Sequence, residues 1–415
     1  MIEPRRVVIS GLGLVTPLGI GVEPFWNGLR AGRSVVQRLT RFDPTPFRSH
    51  LAGEVTDFDP GTWIEPRRAR RLDRCSQFSL AAARLALEDA GLALEHEDPD
   101  AIGAMMGTAL GGVAKAEEQH GLYLGEGLRA VDPGLALTVF AGASSCNLAI
   151  ELGITGPNIT NGMSCASGAI AIGEAFRAVR RGDAEAMLAG GAEAPLAPLC
   201  FGAFAIIRAM STRNDDPGTA SRPFDAHRDG FVMAEGAAVL VLEERNRALA
   251  RGARIYAELL GYGLTNDAHH MTAPRPDGRQ AVRAMHLALA EAGVAPAAIS
   301  YLNAHGSSTP LNDPTESQAI RMVFGAAADQ LRVSGTKGYF GHALGASGAI
   351  EAAICALAAR RHWLPPTVNL GERGKGCDLS YLTGSGRDAV PEYLMSNSFG
   401  FGGINAVLVM GGLGG

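Results

Sequence analysis

The chain has 415 residues, a formal net charge of −5, 47% hydrophobic residues and 19% charged ones. That length exceeds one ordinary core and implies two domains or two fused halves; the apolar content excludes a disordered chain, and the acidic balance argues against general nucleic-acid binding. The N-terminal "MIEPRRVVISGLG" lacks a long apolar core and no run of about eighteen uncharged apolar residues follows, so neither a signal peptide nor a membrane span is expected.

"RRVVISGLGLVTPLG" reads as a β-branched strand ending in a glycine turn. Gly11 and Gly13 are followed by Thr16 rather than a third glycine, so a dinucleotide fingerprint is not expected. "SQFSLAAARLALEDAGL" predicts an amphipathic helix stopped by Gly91, and "AIGAMMGTALGG" a buried strand running into a loop. "NITNGMS" reads as a strand, "CASGAIAIGEAFRAVRRG" as a helix ended by Gly182, and "AEAMLAGGAEA" as the next buried strand. "GFVMAEGAAVLVLEERNRALARG" predicts a glycine hairpin, a strand and a helix.

The pattern then repeats. "RIYAELLGYGLTND" matches the N-terminal strand, "ISYLNAHGSST" matches "AIGAMMGTALGG", and "FGFGGINAVLVMGG" matches "FVMAEGAAVLVLEE". Strands alternating with helices imply βαβ units and a mainly parallel sheet. Two related halves, 1–254 with the cysteine of interest and 255–415 with the histidines and lysine, imply a pseudo-two-fold α/β duplication with a site where they meet.

Six cysteines (Cys75, Cys146, Cys165, Cys200, Cys355 and Cys377) show no C-x-x-C spacing, so neither a metal site nor a disulfide framework is expected, and a reduced, cytoplasmic setting fits. Cys165 sits where a strand gives way to a helix. A helix N-terminus offers free N–H groups and partial positive charge, which favour thiolate, the nucleophilic form. Its neighbours Ser164, Ala166, Ser167 and Gly168 are small enough to admit a substrate. A packed thiol is the competing reading. "YLNAHGSSTPLND" places His305 after a buried strand, and "VSGTKGYFGHALGASGAIEAAI" places Lys337 five residues before His342. One thiol and two histidines at equivalent strand ends suit acyl transfer through a thioester. Neutral imidazoles can donate to a developing oxyanion, and the "NSFGFGGIN" loop can add a backbone N–H.

"SCASG", "NAHGSSTPLND", "GTKGYFGHALGASGAIEA" and "NSFGFGG", in this order, resemble the β-ketoacyl-acyl-carrier-protein synthases, closest to the synthase II type, over essentially the whole chain. The resemblance implies the thiolase fold: duplicated βαβαβαββ halves in a five-layered αβαβα arrangement. It implies decarboxylative Claisen condensation of an acyl group on Cys165 with malonyl-acyl carrier protein in fatty acid elongation. His305 and His342 would drive decarboxylation, with Lys337 as the family's lysine and Glu351 its buried partner. The N–H groups of Cys165 and Phe401 would form the oxyanion hole, the Phe401 ring would gate the acyl pocket, and Phe399 would support it. Leu110 would stand at the wall that limits the depth of that pocket, Phe204 would line it, and Ser307 and Thr309 would hold the phosphopantetheine arm. That arm arrives on the carrier, so no resident cofactor or metal is expected.

"EPRRARRLDRC" packs arginines into a locally basic stretch; Arg67, Arg68 and Arg71, with Arg208, would receive the acidic acyl carrier protein. The family implies a homodimer with the "NITNGMS" strand at the interface. A heterodimer with a cysteine-less relative, and a specialised polyketide or polyene pathway, stay open, because "GMSCASG", "HGSST" and the Tyr339–Phe340 pair depart from the housekeeping pattern. A thiolase would carry a second cysteine in the C-terminal glycine loop, where "FGFGGIN" has none. A non-catalytic scaffold would have no use for all four catalytic motifs.

Overall fold

The computed structural model describes residues 5–412. Ten strands form its frame: β1 (Val7–Thr16), β2 (Ile102–Gly107), β3 (Asn158–Asn161), β4 (Ala186–Glu193), β5 (Gly236–Glu244), β6 (Ala257–Asn266), β7 (Ile299–Asn303), β8 (Arg332–Ser334), β9 (Tyr393–Gly400) and β10 (Ile404–Gly411). Six helices complete the repeat: α1 (Arg74–Ala90), α2 (Ala143–Leu152), α3 (Ser167–Arg181), α4 (Arg279–Ala292), α5 (Asn312–Phe324) and α6 (Ser347–Arg361). The chain order is therefore β1-α1-β2-α2-β3-α3-β4-β5, then β6-α4-β7-α5-β8-α6-β9-β10, which is βαβαβαββ twice.

The strands lie side by side as β8-β7-β9-β10-β6-β1-β5-β4-β2-β3. Read outward from the centre, both halves have the same order. They join through a short antiparallel ladder that pairs Val7 with Leu259, Val8 with Glu258 and Ile9 with Ala257. The expected mainly parallel sheet is mixed instead. β2, β3 and β4 run parallel, as do β7, β8 and β9, but the last strand of each half returns antiparallel to its predecessor. In the second half that return is a tight turn over residues 401–403, too short for a parallel crossover.

Three helical layers enclose the half-sheets. α1 and α2 cover one outer face with Phe78, Ala82, Ala86 and Leu148 against Ile102, Leu188 and Val239. α4 and α5 cover the other with Met285, Ala288 and Ile320 against Leu302, Met395 and Val407. α3 and α6 fill the middle, packing Ile172, Phe176, Ile354 and Leu357 against Leu240, Leu242, Leu394 and Leu408. α6 is buried on every side from Ser347 to Ala359, as a helix apolar all round must be. The layers are αβαβα, the thiolase fold expected from the motifs.

The duplication survives in sequence where packing is tightest. Ala-Ser-Gly-Ala-Ile occurs at 166–170 and again at 346–350, opening α3 and α6. A Cβ on Gly168 would stand 2.9 Å from the Ala349 nitrogen, and one on Gly348 would stand 2.8 Å from that of Ala169. The two helices cross at these glycines. The Gly11 and Gly13 pair is likewise explained by packing: a Cβ at Gly13 would lie 1.8 Å from the Ala82 carbonyl oxygen of α1. The expected glycine hairpin before β5 is absent. That stretch is extended, with Phe231, Met233 and Ala234 bridging Met210, His342 and Gly53. Among the described residues no helix is long and apolar enough to cross a membrane.

Candidate active site

Cys165 lies on a single 3-10 turn, Ser164–Ala166, between β3 and α3. Ser164 has φ +53°, in the left-handed region, and its mirror at the start of α6, Leu344, has φ +40°. Cys165 is 7% exposed, with the Ser164 hydroxyl 3.7 Å from its sulfur. The Phe401 backbone N–H also donates to it. The expected thiolate is not the resting form. Burial pushes the thiol above its ordinary range, and the Ser164 hydroxyl, the Lys337 charge and the Phe401 N–H oppose that only in part. A Cβ on Gly400 would stand 3.2 Å from the Cys165 nitrogen and 3.3 Å from that of Ala166. The glycine loop thus presses its backbone onto the turn that carries Cys165.

His305 follows β7 and His342 precedes α6; both are buried, with ring centroids 5.3 Å apart and planes at 80°. Glu316 on α5 accepts the backbone N–H of His305 at 2.8 Å and of Gly306 at 2.9 Å, which fixes the loop. Lys337 Nζ donates to the His305 carbonyl at 2.6 Å and approaches its Nδ1 at 3.4 Å. An ammonium can only donate, so His305 Nδ1 accepts and the ring proton sits on Nε2. His342 Nδ1 meets the Ser347 hydroxyl at 2.8 Å. Burial pushes both imidazoles well below their usual range, and the Lys337 charge pushes the same way, so both are neutral.

Behind them Lys337 Nζ donates to Glu351 Oε1 at 2.5 Å in a fully buried pair. Burial raises the Glu351 carboxyl to about 7 against the pull of Lys337. The structure therefore brings together the two partners the motifs implied.

A cavity of about 290 Å³ opens over this group. Cys165, His305, His342, Phe204, Phe399 and Phe401 line it, with Ser307, Thr309 and Arg208. The Phe401 ring lies 6.2 Å from that of Phe204 at 21°, and Phe399 lies 6.0 Å from His305. The Ser307 and Thr309 hydroxyls are 2.9 Å apart. Leu110 is not on the cavity wall; it packs in the apolar cluster that holds Cys165, Phe201, Phe231 and Leu344. Tyr339 and Phe340 are fully buried in the central core and do not reach the cavity. Of the basic stretch, Arg67, Arg70 and Arg71 are exposed. Arg68 is bonded to Glu151 and Asn147, and Arg74 to Glu235. Among the described residues no group of His, Cys, Asp and Glu is placed to hold a metal ion.

Two carboxylates went unread in the sequence, Glu316 and Glu193. Each had a signal: Glu316 shares a helical face with Ala319, Ile320 and Val323, and Glu193 is the acid in the apolar strand "AMLAGGAE". An acid on a buried face is rare unless its oxygens are satisfied.

Comparisons agree with this geometry. Residues 4–248 match the family model described as beta-ketoacyl synthase, N-terminal domain, and 256–371 match its C-terminal domain. The chain is 46% identical over 407 residues to the 3-oxoacyl-[acyl-carrier-protein] synthase 2 of Synechocystis, with 98% of each chain covered. It superposes on the solved ishigamide ketosynthase/chain length factor with TM-score 0.93 at 38% identity, covering 99% of this chain and 100% of that one. A chain of the solved complex between a type II polyketide acyl-carrier protein and its ketosynthase gives TM-score 0.91 at 34% identity, with 99% of this chain and 100% of that one covered. With two family models spanning most of its length and a relative this similar over nearly all of it, the chain belongs to the β-ketoacyl synthase family.

Proposed function

We propose that this enzyme condenses an acyl group held on Cys165 with malonyl-acyl carrier protein, lengthening a fatty acyl chain. The observation that carries the reading is one cavity holding a thiol and two neutral imidazoles.

In the first half-reaction the Cys165 sulfur attacks the carrier thioester. The acyl–sulfur bond to the phosphopantetheine breaks, a new one forms to Cys165, and the thiol proton ends on the departing carrier thiol. The oxyanion of the tetrahedral intermediate takes the N–H groups of Cys165 and Phe401. In the second, malonyl-carrier loses CO2, and the electron pair of the broken bond becomes an enolate. The Nε2–H of His305 and a matching donor from His342 hold its oxygen. The enolate carbon attacks the acyl carbonyl, the new carbon–carbon bond expels the Cys165 thiolate, and that thiolate takes up one proton from solvent water, the proton consumed overall as the malonyl carboxylate leaves as CO2. Lys337 and Glu351 are positioning residues that fix the His305 tautomer. Ser307 and Thr309 hold the arm, which comes on the carrier, and Phe401 gates the acyl chamber from its place against Phe204.

The synthase 2 relative favours primary elongation. The polyketide-type neighbours favour a specialised pathway, but the Tyr339–Phe340 departure lies away from the cavity and does not bear on substrate. Carrier docking would use Arg67, Arg71 and Arg208 against an acidic partner. A homodimer is our reading of the β3 edge: β3 is partly exposed, with Ile159 52% exposed, and Leu137, Phe140 and Ile150 are exposed apolar side chains as well. A cytoplasmic setting fits the reduced cysteines. Saturated acyl-carrier thioesters should add one acyl group to Cys165, seen by intact mass, and malonyl-carrier should then discharge it with CO2 release. Absence of that adduct sinks the reading; an adduct formed only from polyketide intermediates selects the second pathway.

A further inference from the structure

The cavity wall that carries Ser307 and Thr309 runs from the reacting groups out to solvent. His305 is 4% exposed and Ser307 5%, whereas Leu311 is 58% exposed, and all three line the cavity with Thr309, Pro310 and Asn312. A ligand that enters along this wall passes it on the way to Cys165. Most of the wall is loop between β7 and α5, and Ser308 in its middle has φ +65°. A serine in the left-handed region is strained and persists only where its surroundings hold it.

What holds it comes from behind, from residues 222–230. The Ser308 hydroxyl accepts the Arg222 N–H at 3.0 Å, and the Ser308 carbonyl accepts the Gly230 N–H at 3.1 Å. Arg228 takes the next two residues. Its Nε donates to the Thr309 carbonyl at 3.0 Å and its Nη2 to the Pro310 carbonyl at 3.2 Å, while Nη1 donates to the Asp225 carbonyl at 2.9 Å. The Asp313 carboxylate lies 3.8 Å from Nε, beyond hydrogen-bond reach, so the guanidinium is committed to backbone carbonyls. The Arg228 side chain is 8% exposed and is not on the cavity wall. A Cβ on Gly374 would stand 2.2 Å from Nη1, so the loop behind leaves the guanidinium little room to swing away. A planar fork meets carbonyls in several directions at once, which a lysine ammonium, a single point of charge, does not.

We propose that Arg228 is a positioning residue for the entry wall: it fixes the Thr309 and Pro310 carbonyls, keeps the paired Ser307 and Thr309 hydroxyls on the passage to Cys165, and so sets how tightly the arm of a carrier-bound thioester is held. The proposal rests on the acyl-transfer reading above.

Arg228→Met removes all three bonds. KM for both acyl-carrier and malonyl-carrier should rise about tenfold with kcat nearly unchanged, the mark of lost binding common to ground and transition states. Alkylation of Cys165 by iodoacetamide, followed by peptide mass, needs no arm and should keep its wild-type rate. Arg228→Lys keeps the charge beside Asp313 but offers one nitrogen in place of three, and should raise KM about threefold; it decides the question where the methionine variant does not fold. Wild-type KM in every variant that folds overturns the proposal. So does alkylation of Cys165 slowed as much as acylation, which would make Arg228 a general support of the site. Failure of the wild-type enzyme to take an acyl group on Cys165 overturns the acyl-transfer reading instead.

Discussion

The turn at Cys165 and the turn at Gly345 are the same structure put to opposite uses. Both precede the Ala-Ser-Gly-Ala-Ile that opens a central helix, both follow a residue with positive φ, and both aim a backbone N–H at the end of a strand. Opposite Cys165 that strand end is Gly400; opposite Gly345 it is Glu193. These two are equivalent positions, since Glu193 pairs with Gly236 and Gly400 with Ile404, each two residues before a shared Ala-Val-Leu-Val. In one half the turn lines a cavity, where the proposed reaction would place a substrate oxygen on that N–H. In the other a carboxylate oxygen already occupies the matching place. The same offset puts Gly162 opposite His342, and Pro157 and Ala171 opposite Lys337 and Glu351. A duplicated scaffold thus yields one site rather than two through a few side chains, with the strands and helices left alike.

The strongest way to break the comparison is to exchange what the two turns carry. Cys165→Ser should lower condensation on the order of 1,000-fold or more, because a serine hydroxyl there has no base strong enough to make it a nucleophile. Stability should barely move. Cys165→Gln should lose acylation yet still decarboxylate malonyl-carrier, since both histidines remain. Gly345→Ala should do the reverse of Cys165→Ser and act on the fold. Its Cβ would fall 2.4 Å from Ala109 and 2.6 Å from Thr108 backbone atoms, a clash worth roughly 1–3 kcal/mol in urea unfolding. Near-normal condensation by Cys165→Ser ends the assignment of that turn as the reactive one.

The buried pair offers a second test, because the first half does without it. Lys337→Met alone strands the Glu351 carboxylate and should cost about 3–5 kcal/mol. Adding Glu351→Ala copies the apolar mirror residue Ala171 and should recover much of that loss without restoring activity. If the double variant is as unstable as the single one, the pair stabilises the fold beyond satisfying itself.

A smaller effect comes from Glu193 as a titrating group. Burial raises its carboxyl to about 7 from an ordinary 4.5; the N–H groups of Ala109, Gly345 and Leu110 and the Thr108 hydroxyl oppose this. The ionisable groups that feel its charge are the Cys75, Cys165 and Cys200 thiols. Between those two pH values the folded chain keeps a proton that the unfolded chain has released. Its contribution to stability therefore falls as pH rises through the window. Unfolding free energies measured from pH 4.5 to 7 should fall less steeply in Glu193→Gln than in wild type. Parallel curves mean the carboxylate titrates no differently from an exposed one.

The least effect belongs to the surface. Arg67→Glu with Arg71→Glu should raise KM for carrier-bound substrate several-fold and leave kcat alone, and added salt should mimic it, since screening acts over about 8–10 Å. A KM indifferent to salt returns these arginines to solvent. Arg68 is expected to matter less for docking, being already bonded to Glu151 and Asn147.

Strands and helices were legible because apolar runs bounded by glycine mark them without reference to anything distant. β2, α3 and β4 fall where "AIGAMMG", the helix after Cys165 and "AEAMLAGGAE" placed them. Cys165, His305, His342 and Lys337 were legible by motif. The thiol's protonation was not, because it is the balance of burial against the Lys337 charge and the Phe401 N–H, and those two lie more than 170 positions away in the chain. Glu316 and Glu193 were missed for the same reason. Their partners are backbone N–H groups of remote loops, and backbone donors leave no mark in a sequence.

β3 is four residues long, stands at the open end of the sheet, and leads within three residues into the turn that carries Cys165. Asn161 at its end reaches back to the Ser167 carbonyl at 3.0 Å, inside the first turn of α3. Whatever covers that edge therefore also sets the mobility of the Cys165 turn. Where a second subunit does so, the enzyme's catalytic competence becomes a function of its own concentration: dilution would loosen the reactive turn before it unfolded anything else.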